Sequence, residues 1–145
     1  EQVMPEIDRL LQGHRTLGRW SLGQICNHLT KSIQYSIEGF PKPLPWIVRR
    51  TVGPVAFRYL DRKGAMPSGF TAPPSLAPQD GLDDRAEAEA LRATIAYFLS
   101  HVGPLAEHAF LGPLNKQQLT RLHCIHSAHH LGFVRPAGDA GPPGA

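Results

Sequence analysis

The stretch RLHCIHSAHHLGF, residues 121–133, holds four of the eight histidines in a chain of 145 residues. Placed on a helix at about 100° per residue, Leu119, Leu122, His123, His126, His130 and Phe133 fall on one stripe, with His129 toward its flank. Positions that would carry leucine in a helical core carry three histidines. A single inward histidine is ordinarily a core residue bonded to a carbonyl or a neighbouring side chain. Three on one stripe are harder to satisfy, because each unpaired ring costs about 1–3 kcal/mol. A metal ion removes that cost. His126 and His130 are four residues apart, so their rings can converge on one ion from a single helix face.

A catalytic zinc-like site needs a third protein ligand. His28 is the candidate: it lies at the edge of an apolar helical stripe, with Gln24, Ser32 and Tyr35 along the same side. The plain alternative for His28 is a surface histidine. His14 sits in a glycine-bounded connector, and His101 and His108 lie near the end of a helix and in the loop after it, so these three are weaker candidates.

The elements that must hold these residues read as helices. Residues 3–12 form a short one, with Val3, Ile7, Leu10 and Leu11 on one side. Ser21 with Gln24 three residues on is a capping-box start for a helix over about 20–38, whose Leu22, Ile25, Cys26, Leu29, Ile33 and Ile37 keep the helical period. Gly39 and Pro41 stop it. A third helix spans about 44–61 and is expected to bend or break at Gly53-Pro54. Residues 64–81, which include Pro67, Pro73, Pro74 and Pro78, form a long irregular connection expected to pack over one end or side of the helices. A fourth helix covers about 82–101, with acids at its positive N-terminal end. Asn115 with Gln118 starts a fifth over about 115–133, and Leu114 can staple to Leu119. No β-strand alternation or internal repeat is visible. The class is all-α, with one domain over residues 1–135 and a compositionally disordered tail over 136–145.

Composition excludes several functions. Fifteen Lys+Arg against twelve Asp+Glu give +3, which with no basic stripe or aromatic platform speaks against nucleic acid. The run Arg49, Arg50, Arg58, Arg62 and Lys63 reads as a solvated helix face. No apolar run reaches the roughly 18 residues of a membrane span, and no signal peptide is visible. Cys26 and Cys124 read as reduced core residues, which suits a cytoplasmic protein.

WSLGQICNHLTKSIQYSIEGFP at 20–41, FLGPLNKQQLTRLHCIHSAHHLGF at 110–133 and the basic third-helix region together resemble an uncharacterised bacterial branch of the DinB/YfiT-like superfamily, over about residues 3–134. The resemblance implies an antiparallel four-helix bundle with a short extra N-terminal helix, and His28, His126 and His130 as ligands of a divalent metal, commonly zinc or nickel. It also implies a small-molecule substrate: several members are thiol S-transferases that join a low-molecular-weight thiol to an electrophile, and others have been treated as hydrolases or isomerases. Against the family's usual opening the N-terminus is short, so an upstream segment is expected. His123, one turn before His126, is a candidate second partner or proton shuttle, and Tyr35 with Ser32 a candidate for orienting substrate. No carboxylate stands in the motif set as a general base, which favours thiol activation over hydrolysis. The rival is a non-catalytic bundle that holds a metal or small ligand, and pairing with a second copy of the chain stays open.

Overall fold

The computed structural model describes residues 2–67, 69 and 72–138. Among these the chain is mostly helical: α1 (Val3–Leu10), α2 (Leu22–Glu38), α3 (Trp46–Lys63), α4 (Asp84–Ser100) and α5 (Lys116–Leu131) are joined by a small antiparallel pair, β1 (His14–Thr16) and β2 (Val134–Pro136). The expected capping boxes form. Ser21 N–H donates to Gln24 Oε1 at 2.9 Å while Gln24 N–H donates to Ser21 Oγ at 3.1 Å. Asn115 and Gln118 make the same reciprocal pair, both at 2.9 Å.

α2 is the central element, lying along α4 and also touching α5. Its Leu22, Ile25, Cys26, Leu29 and Ile33 are buried with Leu91 and Phe98 of α4 and Leu119 and Leu122 of α5. Two polar contacts set the α2–α4 register. Gly23 N–H donates to Asp84 Oδ1 at 2.6 Å, satisfying one of the free amides of the first α2 turn, and Asn27 Nδ2 donates to Glu87 Oε2 at 3.0 Å. Leu114 packs against the same core as Leu119, as a staple requires.

α3 runs through Gly53-Pro54 as one helix, so of the expected bend or break the break does not occur. Pro54 removes one backbone bond, but Gly53, Phe57 and Leu60 are buried on both sides of it and hold the helix to the core. Gly53 allows that approach: a Cβ there would lie 2.5 Å from the Leu111 carbonyl oxygen. Gly112, at φ +77, faces the Arg49 carbonyl across the same contact. Gly53→Val is therefore expected to destabilise the fold by about 3 kcal/mol despite valine's better helix propensity. The check is a lower urea midpoint at unchanged slope. The outward side of α3 carries exposed Trp46, Val52, Val55 and Tyr59 beside Arg58 and Arg62, while Arg49 and Arg50 pair with Glu107.

Three further expectations are corrected. The two strands pair His14 with Pro136 and Thr16 with Val134, and Ala137 N–H donates to Gly13 O at 2.9 Å. No strand was expected, yet β2 covers Val134–Pro136; of the expected tail, 139–145 lies outside the described residues. Three-residue strands are too short to show an alternation in sequence. Phe133 lies beyond the end of α5 and is 39% exposed, so it leaves the buried stripe. Cys124 is exposed, whereas Cys26 is buried as expected.

The described part of the 64–81 connection has no helix or strand and lies along one face of α2, where residues 24, 28, 31 and 35 all reach it. Ser68, Phe70 and Thr71 of that connection lie outside the described residues. No helix among the described residues is long and apolar enough to cross a membrane.

Candidate metal centre

α2 and α5 together position the three histidines. Four residues make just over one helical turn, so His126 and His130 stack on one face of α5, and the buried stripe of α2 carries His28 across to them. His28 is only 3% exposed, so it is no surface histidine. His28 Nε2 lies 3.1 Å from His126 Nε2, and His130 Nε2 lies 3.0 Å from the same atom. One ligand atom from each of the three lies within 4.8 Å of the others. Nitrogens each about 2.0–2.1 Å from a tetrahedral ion stand roughly 3.3 Å apart, close to the two short separations.

Protons satisfy this arrangement poorly. His28 Nδ1 lies 2.9 Å from the Leu76 carbonyl, which can only accept, so Nδ1 carries the hydrogen and Nε2 of the neutral ring is a bare lone pair. If His126 Nε2 is also bare, two lone pairs face each other at 3.1 Å. If it carries hydrogen, that one proton must serve both His28 and His130. Full protonation is opposed as well. Burial pushes His126 well below the ordinary histidine value, and His28 and His130 add to the effect. Burial pushes His130 down to about 3, with His28 and His129 contributing, and lowers His28 against the opposing pull of the Leu76 bond. Three neutral lone-pair donors converging in a desolvated place fit a divalent cation.

The surroundings hold the rings still. The Trp20 indole stacks on His130 with centroids 5.5 Å apart and planes 16° from parallel, and it tilts against His28 at 5.0 Å. Gln24, besides capping α2, donates through Nε2 to Gln79 O at 3.1 Å and Asp80 Oδ1 at 3.0 Å, so the cap of α2 also anchors the connection that supplies Leu76.

The remaining histidines are not part of the convergence, although His129 touches it. His123 Nε2 lies 3.0 Å from Ser36 Oγ, and its ring meets Phe98 edge-on. His129 turns its ring against His130 and Phe133. His14 sits in β1 with Nδ1 on Leu10 O, His101 bonds Pro104 O, and His108 accepts from the backbone of Phe110 and Leu111. Tyr35 Oη donates to Ser75 O at 3.3 Å and Ser32 Oγ to His28 O at 2.9 Å, so both hydroxyls are used inside the protein. Reading residue types alone missed Trp20 and Leu76. Trp20 lies in the same short stretch as His28, a usable signal; Leu76 acts through its main chain and leaves none.

A family model described as a protein of unknown function, DUF1569, matches residues 1–137. No curated protein and no solved structure matches the chain. With that model spanning the triad and every helix that positions it, the chain belongs to the DUF1569 family.

Proposed function

We propose that the chain is a divalent-metal protein, with His28, His126 and His130 as ligands of zinc or nickel, and that it uses the ion to activate a thiol or water nucleophile toward a small-molecule substrate. The reading rests on one observation: three Nε2-directed rings converge so closely that in the neutral state at best one proton is shared among them. We also propose the finer architecture, a DinB/YfiT-like antiparallel four-helix bundle made by α2 to α5. The packing of α2 on α4 and α5 and of α3 on α5 supports it.

Bound to three neutral imidazoles, such an ion keeps its full charge and supplies Lewis acidity that draws the pKa of a coordinated water toward about 7 or holds a thiol as thiolate. The chain's own residues do the positioning. The Leu76 carbonyl fixes the His28 tautomer, Trp20 covers one side of His28 and His130, and burial keeps the rings unprotonated at neutral pH. The triad found as a candidate metal group contains no carboxylate, in keeping with a thiol rather than a hydrolytic water as nucleophile. The two free cysteines fit a reducing compartment, and we place the protein in the cytoplasm on that ground.

The test is elemental analysis of the purified protein, followed by a screen of low-molecular-weight thiols with monochlorobimane as electrophile. Turnover above the uncatalysed rate is expected for the zinc- or nickel-loaded protein and is expected to vanish in His126→Ala. Stoichiometric metal without turnover across the screen would leave a metal-binding module with no such chemistry.

A further inference from the structure

On the side of α5 turned toward α1 and α4 there is a cavity of about 430 Å³, within the range of roughly 300–1,000 Å³ typical of small-molecule sites. Its walls are apolar, from Met4 of α1, Ile33 of α2 and Ile95 and Phe98 of α4. α5 contributes the polar edge through His123, Cys124 and Ser127. No lysine, arginine, aspartate or glutamate lines it, so nothing there compensates a charged occupant.

The hydrogen-bond chain behind His123 decides what its ring offers the cavity. Ser36 Oγ lies 3.2 Å from the Ser32 carbonyl and 3.0 Å from His123 Nε2, so Nε2 is the ring nitrogen engaged inside the protein. His123 Nδ1 is left with no hydrogen-bond partner among the described residues. Burial pushes this histidine down to about 4, so the ring is neutral at pH 7. Phe98, edge-on to the ring at 5.2 Å and 88°, fixes its plane.

A mainly apolar cavity with a neutral, unpartnered imidazole nitrogen at its edge selects its ligand by chemistry. We propose that it binds a small neutral phenol, with the aromatic ring among Ile33, Ile95 and Phe98 and the hydroxyl, which can donate or accept, hydrogen-bonded to His123 Nδ1. A neutral hydrocarbon of the same shape gains the burial but leaves the nitrogen unpaired, which costs about tenfold in affinity. This site is independent of the triad: its residues do not include His28, His126 or His130.

The test compares 4-ethylphenol with ethylbenzene by calorimetry on the full chain. Cys124 at the cavity edge gives a local reporter, since Cys26 is buried with its thiol pushed up to about 12 and does not compete for iodoacetamide. The expected result is saturable binding of 4-ethylphenol, about tenfold tighter than ethylbenzene, with slowed alkylation of Cys124. In His123→Phe the tenfold preference is expected to disappear while ethylbenzene still binds. In Ile95→Trp, which fills the cavity, both ligands and the protection of Cys124 are expected to be lost with zinc affinity unchanged. Equal affinity for the two compounds in the unmodified protein, no saturable binding, or protection that survives Ile95→Trp would each overturn the proposal, and the first two need no variant to fold.

Discussion

Replacing His126 with alanine is expected to lower zinc or nickel affinity by at least about 100-fold, the largest effect of any single change to the triad. Mutating groups that merely orient a ligand typically costs 10–100-fold, and His126 is the nitrogen against which both others are placed, at 3.1 and 3.0 Å. His14→Ala is the control. That histidine lies in β1, on Leu10 O and 3.5 Å from Asp84, and is expected to leave affinity unchanged. Titration calorimetry against a chelator-buffered metal reads both. Equal affinities in the two variants would leave the histidine stripe as structure only.

The metal-free protein is expected to unfold in mild acid, between about pH 6 and 4. Burial pushes His108 and His123 each down to about 4 from an ordinary value of 6.5. Above pH 6.5 these rings are neutral in both states and stability does not depend on them. Below it the unfolded chain takes up protons first, so stability falls with pH until the folded values are passed. Each such group contributes a slope of about 1.4 kcal/mol per pH unit, and two acting together exhaust much of a stability of roughly 5–15 kcal/mol within that window. The depressed triad histidines act in the same direction. Saturating zinc is expected to move the transition to lower pH by binding only the folded state. Circular dichroism against pH checks both. A metal-free transition below pH 3 would refute the assignment of neutral buried rings.

Much of this architecture could be read from residue types because it rests on local, repetitive physics. The caps at Ser21 and Asn115 are four-residue patterns, and the buried stripe of α2 is a period. His126 and His130 were legible for the same reason, four apart on one helix face. His28 was harder, since its pairing with α5 spans 98 residues, and a polar position at the edge of an apolar stripe marked it together with the resemblance of the surrounding motif. The errors came where a local rule lost to distant packing. Pro54 argued for a bend or a break, and the break is absent because burial of Gly53, Phe57 and Leu60 outweighed one missing backbone bond. Cys124 sits between His123 and Ile125 in a helix read as core, yet its own direction is outward. The β1–β2 pair joins segments more than a hundred residues apart through backbone groups alone, and three residues per strand carry no pattern.

The connection along α2 has a consequence for how this protein tolerates change. His28, Lys31, Tyr35 and, in part, Gln24 all reach it through main-chain carbonyls, those of Leu76, Ala77, Ser75 and Gln79. Every amino acid supplies that group, so the identities of these four residues are nearly free while their spacing is not. Surface loops ordinarily accept insertions at small cost, because closure entropy grows slowly with length. Here a single inserted or deleted residue between Ser75 and Gln79 slides the carbonyls out of step with the turns of α2 and turns the Leu76 oxygen away from His28. The segment is permissive to substitution and strict in length, the reverse of an ordinary linker.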